Sequence, residues 1–373
     1  MKIVAKKSAL LQAAMAAAEV ADDRGTMPAY KSIVLTAGEL SLARASSGEQ
    51  QVELLIQGAI TERVGTAMIS AKHFADRVKS FDDGDVAVDS DGTQVFLRQG
   101  KRTHRLLAFA GYELPSHIKH PGNSGTIAAV KLLDRLSLLA PVMCTDMSRP
   151  TISGIRIVST GGNSRLVAAD SSAMARSEFD SDIRINTLIP PKAVHQIISF
   201  LHKEKGDVRV SADVTRFFLD KGTASYSTKF VGDPHTDMNK FFPPRSGPIL
   251  RFDRDECANA LKFIAACKPH LDRVRFVPVD DGFFLRAADI DGYTSEEFVS
   301  SSRSDIKSFS ASLRRINEAM VFCGSGSIEL FMQPGDRNPG MCPGICLFTS
   351  GNNSDEFVVS PYLYDIEDVR STN

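Results

Sequence analysis

The residues able to do chemistry fall into small groups, and most groups lack the spacing that chemistry needs. Asp280, Asp281, Asp289 and Asp291 are the raw material of a hydrolytic metal site. Asp280-Asp281-Gly282, however, has the composition of a tight hairpin turn, and that is the preferred reading. Of the six cysteines, Cys144, Cys257, Cys267, Cys323, Cys342 and Cys346, only Cys342-Pro-Gly-Ile-Cys346 forms a close pair. No CxxC or HxxxH partner completes the four ligands of a structural zinc site, so no metal and no other cofactor is expected. Gly324-Ser-Gly326-Ser follows a helical pattern and precedes a strand. A phosphate loop has the reverse order, because it is the helix N-terminus that meets the anion; a helix C-cap and turn is expected instead. No Walker loop, HExxH or nucleophile elbow is present, and no catalytic residue is assigned.

The background is that of an ordinary globular chain. The 373 residues are 43% hydrophobic and 24% charged, which excludes disordered and fibrous classes and suggests two or three domains. Lys and Arg number 44 against 45 Asp and Glu, a net charge of -1, so a protein coating nucleic acid with its whole surface is excluded while a local basic patch is not. No apolar run has the length of a membrane span. Lys6-Lys7 followed by the Ala-rich stretch to Ala21 imitates a signal peptide, but Gln12 and Glu19 interrupt it and the same pattern recurs later. A cytoplasmic location is expected. In that compartment the cysteines read as buried thiols, and the glycosylation pattern Asn352-Asn353-Ser354 has no consequence.

That recurrence organises the chain. An i, i+4, i+7 apolar stripe, the mark of one helix face, occurs as Leu11/Met15/Ala18, Leu132/Leu136/Leu139 and Cys257/Leu261/Ile264, at offsets of 121 and 125 residues. A second helix in each unit is approached from a strand, at Ile69-Ser-Ala-Lys72, Ile189-Pro-Pro-Lys192 and Phe309-Ser-Ala-Ser312, each 120 residues after the last. Turns and strands follow at Gly84-Asp-Val-Ala-Val88, Gly206-Asp-Val-Arg-Val210 and Gly326-Ser-Ile-Glu-Leu330. Three units of helix, strands, helix and strands fill the chain, with boundaries in Pro/Gly-rich stretches: residues 1–122, 123–246 and 247–373. The expected class is α+β, as three tandem domains of two helices plus antiparallel sheets.

With this period and length go collinear motifs: Arg24-Gly-Thr-Met-Pro28, Ile69-Ser-Ala-Lys72, Ser153-Gly-Ile155, Leu188-Ile-Pro190 and Phe357-Val-Val-Ser-Pro361. Together they make the chain resemble the bacterial DNA polymerase III beta subunit, the sliding clamp, as a divergent member. The resemblance implies half of a closed ring, completed by a second copy head to tail. Such a ring encircles duplex DNA without sequence specificity and tethers the polymerase III alpha subunit, the clamp loader and other polymerases through clamp-binding peptides. It implies no catalysis, no cofactor and no membrane partner. An unrelated three-module α+β enzyme is the alternative of a different class, and would show a deep pocket with perturbed titrating groups. A plasmid- or phage-type paralogue with altered partners is the alternative within the family.

Site residues follow from the resemblance. Helix cations are the DNA candidates: Arg24, in the loop after the first helix, with Lys72, Arg77, Lys79, Lys131, Arg135, Lys192, Lys262, Arg314 and Arg315. Phosphate contacts of this kind carry no sequence information. The peptide groove maps to Ile152, Ala169, Ser171, Ser172, Ala173, Met174, Thr236, Lys240, Phe241, Gly344, Val358, Val359, Pro361 and Tyr362. The subunit contact maps to Lys101, Arg102 and Arg105 on one edge, and to Ala265, Ala266, Leu271, Glu296 and Glu297 on the other. Where the family has Thr-Asp-Gly-His-Arg-Leu, this chain has Ala169-Asp-Ser-Ser-Ala-Met174, keeping only the Asp. A groove with an apolar floor but a changed polar wall is expected, and a subunit contact thin in bulky side chains.

Overall fold

In a computed structural model of the chain, the described residues are all except 23, 114, 115, 119, 122–124, 203, 230–237, 304, 305, 335–342, 351–354 and 362–373. Thr236, Cys342, Tyr362 and the tail beyond it therefore lie outside the described residues, as do the side chain of Lys240 and the surroundings of the Asn352 motif.

Among the described residues, six α-helices stand where the period places them: α1 (Lys7–Val20), α2 (Ala71–Lys79), α3 (Ala129–Leu139), α4 (Pro191–Leu201), α5 (Arg254–Ala265) and α6 (Leu313–Phe322). Their starts have local causes. Ser70 caps α2 by accepting from the His73 N–H, Asp253 caps α5 through the Asp255 and Glu256 N–H groups, and Ser312 caps α6 through that of Arg315. Pro191 opens α4, where its missing N–H is not needed. The expected stripes of α3 and α5 are buried as read. In α1 the stripe is rotated: Leu10, Ala13, Ala14, Ala17 and Val20 are buried, while Met15 is 45% exposed. An Ala-rich helix is apolar on most faces, so its own pattern does not select the one that packs.

The chain packs as two compact units, and the middle repeat contributes to both. The first comprises Met1–Leu133 and Ser181–Phe230. It holds a five-stranded sheet in the order Ile60–Arg63, Lys2–Lys6, Asp85–Ser90, Gln94–Gln99, Arg102–Leu107. An eight-stranded sheet joins the first two repeats, because Ala224–Lys229 pairs antiparallel with Gln50–Leu55, placing Tyr226 opposite Val52. The second unit comprises Asp134–Asp180 and Val231–Asn373. There Ala173–Arg176 pairs with Glu356–Val359, so strands of the second and third repeats share a ten-stranded sheet. Its core is aromatic: Phe276 stacks on Phe309 at 4.5 Å and on Phe283 at 5.2 Å between centroids. The expected turns are present. Asp280 and Asp281 lie between the antiparallel strands Arg273–Val279 and Gly282–Ala288. The Asp289 carboxylate accepts the Asp291 and Tyr293 N–H groups in a second turn, so these carboxylates shape hairpins. Gly324 and Gly326 take positive φ after α6, as a helix-ending turn requires.

Candidate functional site

Apolar side chains, buried and half-buried, gather in the second unit around the turn at Asp170. Strand Ile155–Ala169 enters this turn and strand Ala173–Ile189 leaves it. The Asp170 carboxylate accepts the N–H of Ser172 at 2.7 Å and of Ala173 at 3.0 Å, which fixes the turn. Two packed clusters lie beside the turn. Val167, Ala169 and Met238 form one, with Ile152, Met174 and Phe242 against it. Phe331, Leu347 and Val358 form the other, with Met174, Phe242 and Ile249 against it. Met174 and Phe242 thus join the two clusters into one floor, and Phe241 stands 61% exposed beside it.

Of the expected groove residues, Ile152, Ala169, Met174 and Val358 come together in this floor, and exposed Ser171 and half-buried Ser172 sit on its turn. Two expectations are corrected. Ala173 and Val359 are opposite one another in the register, and both are buried. Strand alternation sends them to the face away from Met174 and Val358. Pro361 is buried, and Gly344 lies in the strand Pro343–Ser350.

Four supporting residues, Phe242, Arg176, Glu356 and Arg245, escaped the sequence reading. Phe242 adjoins the chosen Phe241, and two neighbouring aromatics cannot be ranked by type. Arg176 lays its guanidinium over the Phe242 ring, 4.4 Å from the centroid. It also pairs with the buried Glu356, which takes Arg245 Nε at 2.9 Å on its other oxygen. Only alternation of strand Ala173–Ile189 hinted that Arg176 shares a face with Met174.

The helix cations divide. Lys72, Arg77 and Lys79 on α2, Lys131 on α3, Lys192 on α4, Lys262 on α5 and Arg314 on α6 are exposed, as is Arg24. Exposed Arg314 carries an ion pair to the mostly buried Glu318 at 3.1 Å. Two candidates are corrected. Arg135 is bound to the buried carboxylate of Asp355 at 2.7 Å. Arg315 is only 5% exposed, pairs with Asp170 and with Glu318 at 2.7 Å, and donates Nε to the Ser172 hydroxyl at 3.0 Å. Both are committed to carboxylates within the fold and are not surface cations.

The two expected edges are real strand features, each within its own unit. Arg102–Leu107 is the outermost strand of the five-stranded sheet, with Lys101, Arg102, Arg105 and Leu107 exposed. Among the described residues, Thr294–Ser300 pairs on one flank with Gly282–Ala288, while the other flank pairs only from Ser301 onward. The charges are partly spent: Asp82 holds Arg102 at 2.8 Å, and Arg286 holds Glu296. The apolar side is richer than expected. Ala265, Ala266 and Leu271 are exposed, and so are Phe263 at 54% and Phe298 at 39%. Leu271 is presented at φ 56°, in the left-handed region that bulky residues avoid.

Several perturbed titrating groups lie in the core or in turns. Burial pushes the Cys323 thiol up to about 12 and raises Cys257 and Tyr226 as well, which leaves poor nucleophiles. Asp146 is held below the usual carboxylate range by its hydrogen bonds from Ser148. Among the described residues no cluster of three His, Cys, Asp or Glu is placed to hold a metal, and no helix is long and apolar enough to cross a membrane.

Comparison with known proteins agrees with this architecture. Residues 1–117 match the family model for the DNA polymerase III beta subunit, N-terminal domain. A beta sliding clamp of Caulobacter vibrioides is 24% identical over 301 residues, covering 76% of this chain and 79% of that one. The solved sliding clamp of Bacillus subtilis superposes with a TM-score of 0.88 at 16% identity, covering 98% of this chain and all of that one. A clamp from Bartonella birtlesii bound to griselimycin does so with a TM-score of 0.86 at 18% identity, over 98% of this chain and all of that one. A clamp fold over nearly the whole length, relatives at low identity and the match over the first repeat point the same way: the chain is similar to the bacterial DNA polymerase III beta subunit, and its first 117 residues match that family's N-terminal domain.

Proposed function

We propose that this chain is a DNA sliding clamp, a non-catalytic processivity factor of the cytoplasm. Two copies join head to tail, the three repeats of each supplying half of a ring around duplex DNA. The observation that carries this reading is the clamp fold over essentially the full chain, with exposed Lys or Arg on every helix from α2 to α6. Cations spaced along successive helices suit a phosphate backbone that must slide past, since such contacts hold DNA without reading it. Polymerase III alpha subunit, clamp loader and other polymerases are the partners proposed for the apolar floor around Met174 and Phe242. Leu and Phe side chains of a clamp-binding peptide fit such a floor, and anchors of that kind carry most of the binding energy. The turn Asp170-Ser-Ser-Ala departs from the family pattern, with Ser172 and Ala173 standing where the resemblance places His and Arg.

Sedimentation at micromolar concentration tests the ring and should give twice the chain mass, by closure of two identical interfaces. Loaded protein should be retained on nicked circular DNA and lost when the circle is cut. A strict monomer, or equal retention on linear and circular DNA, would sink the proposal.

A further inference from the structure

Arg315 matched the DNA-contact pattern, yet it is buried and makes contacts of a different kind. It leaves α6 one residue after exposed Arg314 and reaches the turn beside the apolar floor. There its guanidinium pairs with the Asp170 carboxylate and donates Nε to Ser172 Oγ at 3.0 Å, while Glu318 on the same helix fixes another nitrogen at 2.7 Å. The Asp170 carboxylate it holds is the group that accepts the Ser172 and Ala173 N–H groups. Met174 follows immediately and joins the two apolar clusters. The planar fork thus locks helix, turn hydroxyl and turn carboxylate at once, which an ammonium cannot reproduce.

We infer that Arg315 is a positioning residue for the peptide groove: it touches no ligand, but holds the turn at Asp170–Ser172 so that Met174 is preset for the partner's anchors. The inference rests on the peptide-groove reading above. Side chains that bind well are those whose own geometry is locked by a supporting layer, and a turn that must be ordered during binding costs affinity. Ser172, which occupies the family's His position, then has an inward role: its hydroxyl accepts from Arg315 as well as donating to Asp170 at 3.2 Å.

The test uses the full chain, with Arg315→Gln, Arg315→Lys and Ser172→Ala. The first readout is calorimetric binding of a Gln-Leu-x-Leu-Phe peptide well below each variant's melting temperature. The second is hydrogen exchange of the Ser172 and Ala173 amides without peptide. Arg315→Gln should weaken binding by about tenfold and speed exchange of both amides. Arg315→Lys, which keeps the charge on Asp170, should recover part of both effects. Ser172→Ala should cost about two- to threefold in binding. If Arg315→Gln does not fold, Arg315→Lys decides: binding and exchange equal to the unsubstituted protein overturn the inference. It is overturned equally if Arg315→Gln folds and binds within twofold of the unsubstituted protein. If the unsubstituted protein itself fails to bind the peptide, the groove reading falls and the inference falls with it.

Discussion

Glu356 is the residue whose loss should damage the floor most. Its side chain is 6% exposed and carries two guanidinium partners, Arg176 and Arg245. Charge-assisted hydrogen bonds contribute about 1.5–3 kcal/mol each, and removing one partner of a buried pair costs about 3–5 kcal/mol, because the other charge is left uncompensated. The two arginines differ in this respect. The Arg245 side chain is 40% exposed and can turn to water, whereas that of Arg176 is 18% exposed and is trapped over Phe242. Glu356→Ala should therefore cost about 3 kcal/mol, nearly all of it through Arg176. Arg245→Ala should cost less than about 1 kcal/mol, as solvent-screened partners do. Glu356→Gln, which keeps the shape and one acceptor, should fall between. The chain has no Trp, so urea unfolding is best followed by far-ultraviolet circular dichroism. A melting shift of roughly 6–12 °C should accompany the loss, at about 2–4 °C per kcal/mol for a unit of this size. The reasoning is refuted if Glu356→Ala costs under about 1 kcal/mol, or if Arg245→Ala costs as much.

Replacing exposed Phe263 or Leu271 by Ser should weaken the proposed dimer at least tenfold by analytical ultracentrifugation, since covering a bulky apolar side chain contributes about 1.5–3 kcal/mol; an unchanged constant would remove them from the interface. Because Arg286 holds Glu296 and Asp82 holds Arg102, raising the salt concentration should shift that dimer constant by less than about tenfold. In native protein Cys267, which is half-buried, should alkylate before Cys257 and Cys323, whose thiols burial pushes up; mass mapping that finds Cys257 labelled first would contradict the packing. Burial acts to raise the Asp213 carboxyl, but the N–H groups of Thr215 and Arg216 outweigh it and hold it below its usual value. A depressed carboxyl contributes stability above its unfolded-state value and loses it as pH falls through the folded one. Asp213→Asn should therefore flatten the acid limb of the stability curve, and an unaltered limb would exclude that role.

The periodic features were legible in the sequence because their causes are local. Leu132/Leu136/Leu139 and Cys257/Leu261/Ile264 are buried as read, the caps at Ser70, Asp253 and Ser312 lie next to the helices they start, and Asp280-Asp281-Gly282 turns where its composition says. Local cause also explains the failure in α1: with alanine on most faces, Leu11/Met15/Ala18 and Leu10/Ala14/Ala17 are equally apolar, and only the packed neighbours choose the second. Charge was illegible for the opposite reason. Arg314 and Arg315 are the same residue type on the same turn, yet one is exposed and the other is committed to Asp170, 145 positions earlier in the chain. Arg176 likewise finds Glu356 at a separation of 180 positions. Such pairs exist only where the tertiary structure removes the competing water, so the sequence could name the cations while only the fold could divide those facing solvent from those committed to carboxylates inside the fold.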